Sequence, residues 1–93
     1  MKVKVKFFAL IREVTGVKEV EEEVEDGVTV RKLLEKLCEK MPKKFQNFIF
    51  NGREVSKNLI ILVNRKGIRE LDGLETKLKD GDEVALLPPV SGG

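Results

Sequence analysis

Leu78–Gly93 reads LKDGDEVALLPPVSGG, and the fold turns on how this stretch is divided. Asp80 and Gly81 are a turn pair. DEVALL (82–87) follows as an apolar run of strand length, and Pro88 and Pro89 stop it, because neither has an N–H to give to a neighbouring strand. The two prolines also hold the departing chain extended. From Pro88 to Gly93 the segment reaches roughly 20 Å at most. Gly92 and Gly93 lack a Cβ, so a narrow channel can close on their backbone. The expected organisation is a folded body over 1–87 and a flexible tail over 88–93. At its tip the Gly93 α-carboxylate, with a reference pKa of about 3.3–3.7, is ionised at neutral pH.

A strand that ends in such a tail needs neighbours, and the other end of the sequence offers one. Val3, Val5 and Phe7 share one parity, while Lys2, Lys4, Lys6 and Phe8 share the other; this is the period of a half-buried strand. Val84 and Leu86 then face the same way as Val3, Val5 and Phe7. Ala85 and Leu87 share the opposite face with Phe8, which puts large apolar groups on a face otherwise carrying lysines. A contiguous patch of that kind next to the tail marks a partner surface.

Between these two strands the periodicity changes several times. ALIREVTG (9–16) reads as a short helical turn or loop, and Val20 and Val24 mark a second strand within 17–25, closed by the EDG turn at 25–27. From Thr29, the expected N-cap, the spacing becomes helical: Val30, Leu33, Leu34, Leu37, Cys38 and Met41 form one apolar stripe, and Pro42 ends it. FIFNGREV (48–55) carries a hairpin signal at Asn51–Gly52. NLIILVN (58–64) is apolar at both parities, which predicts a strand covered on both faces. Lys66–Gly67 is read as a further turn. This order predicts an α+β roll of the β-grasp, ubiquitin-like kind. Its mixed sheet is covered by one main helix, and the first and last strands lie side by side and parallel.

Composition narrows the chemistry. In 93 residues there is room for one core, and the longest apolar run, Leu59–Val63, falls far short of the ~20 residues that span a bilayer. The alternating start MKVKVKFF lacks the apolar stretch of a signal peptide, so a cytoplasmic protein with no membrane partner is expected. Eighteen basic residues against sixteen acidic ones give +2, too even a balance for a nucleic-acid binder. The Lys2, Lys4, Lys6 cluster and the acidic run around Glu19–Asp26 read as solvated strand faces that discourage edge association. With no histidine and one cysteine, there is no Ser-His or Cys-His dyad, no imidazole ligand, and no Cys-rich zinc or iron–sulfur site. No metal and no bound cofactor are expected. Cys38 sits on the helix stripe, where cysteine behaves as a small buried hydrophobe.

VKFFALIREVTG (5–16), ILVN (61–64) and above all LKDGDEVALLPPVSGG resemble the MoaD/ThiS group of ubiquitin-like sulfur carriers, most closely the small subunit of molybdopterin synthase. The resemblance implies that an ATP-using, ubiquitin-activating-like enzyme adenylates the Gly93 carboxylate, and that sulfur then displaces AMP to leave a thiocarboxylate. It also implies that the tail next enters the large subunit of the synthase, in a heterotetramer, and gives its sulfur to a pterin precursor that will hold molybdenum or tungsten. Any catalytic side chains would belong to those partners. Gly92 and Gly93 match the terminal glycine pair of the group, and Phe8 and Leu87 match exposed apolar positions of its partner interface, with Pro88, Pro89, Val90 and Ser91 leading the tail into the partner. The group often has aromatic residues just before the prolines, where this chain has Leu86 and Leu87. GIRELDGLETKL (67–78) also resembles archaeal relatives, which implies two alternatives: a protein modifier joined through Gly93 to lysines, or a sulfur donor for transfer RNA.

Overall fold

The computed structural model describes residues 1–89. A five-stranded mixed sheet forms its centre. Strand β1 (Lys2–Phe7) pairs antiparallel with β2 (Glu19–Glu23) on one side and parallel with the last strand, β7 (Glu83–Leu87), on the other. Beyond β7 lie β5 (Ile60–Val63) and the two-residue β6 (Lys66–Gly67), so the order is β2-β1-β7-β5-β6. The α+β β-grasp roll read from the sequence is the architecture found.

Strand parity fixes which face is buried. Val3, Val5 and Phe7 align with Val84 and Leu86, which in turn align with Ile61 and Val63, and all seven are buried on one face. Helix α2 (Val30–Lys40) lays Val30, Leu33, Leu34 and Leu37 on them, each at 0% exposure. At about 1.5–3 kcal/mol per fully buried aliphatic side chain, this contact dominates the stability. Thr29 caps α2 as expected, its Oγ1 accepting from the Lys32 N–H at 3.3 Å. Met41 is extended, as the residue before a proline prefers to be.

Four features depart from the sequence reading. Pro42 ends α2 but also starts a second helix, α3 (Lys43–Ile49), which buries Phe45 and Ile49 one turn apart. The ring of Phe45 stands edge-on to Phe7, 5.8 Å between centroids. The hairpin at Asn51–Gly52 exists, but α3 consumes its expected start, leaving β3 (Phe50–Asn51) and β4 (Glu54–Val55) as a separate two-stranded ribbon. The turn expected at Lys66–Gly67 falls earlier: Asn64 and Arg65 take positive φ values of 49° and 73°, the pair a tight hairpin turn demands. Asn64 holds it, donating to Asp82 Oδ1 at 2.8 Å and accepting from the Glu83 N–H at 3.0 Å.

The fourth departure bears on function. β5 is covered on one face only: Ile61 and Val63 are buried, whereas Ile60 is 38% exposed and Leu62 half-buried. Helix α1 (Ala9–Thr15), α2 and α3 all send buried side chains into a single core, and Ile60 and Leu62 lie on the other side of the sheet. Within β2, Glu22 is a polar exception at 3% exposure, satisfied by Lys40 Nζ at 2.8 Å from Oε2. None of the described helices is long and apolar enough to cross a membrane.

Candidate functional site

The outer face of the sheet divides into a charged half and an apolar half. On the charged half the lysines of β1 reach diagonally across the strands: Lys2 to Glu21 at 3.8 Å, Lys4 to Glu19 at 3.7 Å, and Lys6 to Glu83 of β7 at 3.2 Å. Such exposed pairs each contribute at most about 1 kcal/mol. Their main effect is to neutralise a row of lysines that would otherwise form a basic stripe.

The apolar half is built by register. Ile60 stands opposite Leu87 and Leu62 opposite Ala85, all on the parity that points away from the helices. Phe8 extends β1 by one residue in all but name: its backbone is extended (φ −126°, ψ 153°) and its N–H donates to the Leu86 carbonyl at 3.2 Å. Its ring therefore joins the outer face and is 41% exposed. Ala9 then turns left-handed (φ 51°) and α1 begins. Phe8, Leu62, Ala85 and Leu87 line one shallow depression of about 260 Å³, rimmed by Lys6, Arg65 and Glu83.

Phe8 and Leu87, singled out from the sequence, are thus brought together. Ile60 and Leu62 were missed as members of this face, because a run apolar at both parities read as a strand covered on both sides. Pro88 is half-buried and Pro89 exposed. Pro89 lines a second and larger hollow of about 600 Å³, together with Leu59, Ile68, Leu74, Lys57 and Arg69. Val90, Ser91, Gly92 and Gly93, the other residues assigned to the tail, lie outside the described residues. Cys38 is no rival nucleophile. Burial, with a smaller contribution from the charge of Glu35, pushes its thiol up to about 11, which keeps it protonated and unreactive at neutral pH.

Comparison with known proteins accords with this geometry. The ThiS family model matches residues 5–93. A small archaeal modifier protein 3 from Haloferax volcanii is 38% identical over 93 residues, covering all of both chains. A molybdopterin synthase sulfur carrier subunit from Chlamydomonas reinhardtii is likewise 38% identical over the whole of both. Among solved structures, the small archaeal modifier protein 1 from Methanosarcina acetivorans superimposes with a TM-score of 0.84 at 41% identity, over 99% of this chain and 96% of that one. With the fold, the strand faces and a family match that runs through the glycine pair, the chain belongs to the ThiS family of ubiquitin-like β-grasp proteins.

Proposed function

We propose that this protein is a sulfur carrier, and that it serves as the small subunit of a molybdopterin synthase, with Gly93 as its reactive group. In this reading an adenylating partner joins the Gly93 carboxylate to the α-phosphate of ATP and releases pyrophosphate. Hydrosulfide supplied by a donor then attacks the acyl carbon, AMP leaves, the sulfur loses its proton, and Gly93 carries a thiocarboxylate. The activation is necessary because an ionised carboxylate is a poor electrophile. The large synthase subunit would receive the tail and direct the sulfur to the pterin. ATP is consumed by the partner, and this chain supplies a handle and a reactive end rather than catalytic side chains.

The observation that carries the proposal is the position of the apolar half-face. Phe8, Ile60, Leu62 and Leu87 surround the buried Ala85 and form a patch beside the strand that leads straight into Pro88 and Pro89, so a partner seated on that patch is placed to receive whatever follows. Full-length similarity to a sulfur carrier subunit supports the same reading. Equal similarity to an archaeal modifier protein favours a second one, in which Gly93 is joined to lysines of other proteins. Mass spectrometry of the protein from its native cell separates them. Replacement of one Gly93 oxygen by sulfur, together with loss of the molybdenum or tungsten cofactor when the gene is deleted, is the expected result. Branched peptides linking Gly93 to lysine, without that sulfur, would establish the modifier instead.

A further inference from the structure

The larger hollow meets the outer-face patch at Ile60 and borders the same exit. Its walls are the 55–59 segment, β5, and the two 3-10 turns Ile68–Glu70 and Gly73–Glu75 that connect β6 to β7. Leu59, Ile68 and Leu74 give it an apolar floor, and its charged lining residues are both cations, Lys57 and Arg69. The Arg69 guanidinium donates to the Lys57 backbone carbonyl at 3.4 Å, which ties the first 3-10 turn to the 55–59 segment. Both side chains belong to exposed residues, and among the described ion pairs neither has a carboxylate partner.

Pro89, the last described residue, forms part of this groove's wall. From Pro89, Gly93 is four residues away, at most roughly 14 Å of extended chain. An enzyme whose catalytic pocket holds Gly93 therefore has its surface within that distance of the groove mouth. We propose that the groove is a docking site for an apolar side chain of that enzyme, of leucine or phenylalanine size, flanked by Asp or Glu carboxylates that pair with Lys57 and Arg69. The identity of the occupant rests on the reading of Gly93 given above. The apolar floor supplies desolvated area, and the two cations of the lining supply orientation and selectivity for acidic partners. Together with the outer face, the groove would grip the partner on both sides of the departing tail and so fix the direction in which it enters.

The test is an amide chemical-shift titration of the full chain with two acetylated, amidated tetrapeptides, Asp-Leu-Phe-Glu and Lys-Leu-Phe-Lys. The acidic peptide is expected to shift Leu59, Ile68, Arg69 and Leu74 and to bind at least about tenfold more tightly than the basic one. The double variant Lys57→Glu/Arg69→Glu, with its spectrum still dispersed as a fold check, should reverse that preference. Equal affinities, shifts confined to Phe8 and Leu87, no binding of the acidic peptide up to its solubility limit, or an unchanged preference in the double variant would each overturn the proposal. None of these readouts uses the chemistry of Gly93. A groove that passes beside a Gly93 that never carries sulfur would refute the sulfur-carrier reading alone, and the reverse result would refute the groove alone.

Discussion

Glu22 is the residue at which strand parity misleads. It shares a face with Val20 and Val24, so alternation places an apolar side chain there, yet a carboxylate occupies it at 3% exposure. It is tolerated because Lys40, at the end of α2, brings an ammonium to 2.8 Å while keeping about half of its own side chain in water. Lys40→Met should therefore destabilise the fold by about 1–2 kcal/mol, the low part of the range for stripping a partner from a buried charged acceptor, because water can enter where Lys40 stood. Adding Glu22→Leu should recover most of that loss, since a matched apolar pair needs no counter-charge; urea denaturation of the two variants checks both statements. At Cys38 the direction of the shift decides reactivity. A thiol at about 11 rather than 9.0 leaves about one molecule in a thousand as thiolate at pH 8, against about one in ten unperturbed. Iodoacetamide should modify the native protein about a hundredfold more slowly than the unfolded chain at pH 8. The native rate should climb about tenfold per pH unit up to the region of pH 11, and a fast reaction at pH 8 would show an exposed thiol instead.

Among the elements, those with a long, single period were legible and those set by distant contacts were not. The α2 stripe, the alternation of β1 and the turn at Asp80–Gly81 follow from local chemistry, and each is present, whereas β7 buries Val84, Ala85 and Leu86 in succession and so shows no alternation in its burial. Helix α3 escaped because its seven residues hold only Phe45, Phe48 and Ile49 as apolar markers, and the last two also fit the start of a hairpin. What commits them to a helix is tertiary: Phe45 must fill the space beside Phe7. The turn at Asn64–Arg65 was equally hidden, since two non-glycine residues at positive φ are held by side-chain bonds from Asn64 to residues 82 and 83. If α3 closes the core as this packing indicates, Phe45→Ala should cost about 3–4 kcal/mol, the usual range for emptying a fully buried aromatic site. Calorimetry should show it as a lowered Tm with a single cooperative transition. A loss below about 1 kcal/mol would mean that α3 is a peripheral loop.

At the scale of the whole molecule, the parallel pairing of β1 with β7 places the first and last strands of the described residues side by side at the centre of the sheet. One face carries the core and the other carries the candidate docking patch, and their separation explains why patterning found Phe8 and Leu87 from sequence. The extent of the patch was not legible, because only the structure shows which face of β5 the helices leave bare. This division predicts that folding, docking and sulfur transfer come apart under mutation. Phe8→Asp removes an anchor 41% exposed, so its stability should change by only about 0.5 kcal/mol, while, under the synthase-subunit role proposed above, affinity for the large subunit should fall at least tenfold, or about 1.4 kcal/mol. Deleting Gly92 and Gly93 removes no residue of the described core or patch. That variant should keep its Tm and still bind the partner through the sheet, yet carry no sulfur, since its terminal carboxylate, now on Ser91, stops about 7 Å short of where the Gly93 carboxylate would be activated. Thermal melts, a binding isotherm with the large subunit and a single-turnover sulfur-transfer assay on both variants measure the three properties independently. A deletion variant that still transfers sulfur would remove Gly93 from the mechanism, and a Phe8→Asp variant that unfolds would show that the ring belongs to the core rather than to the docking face.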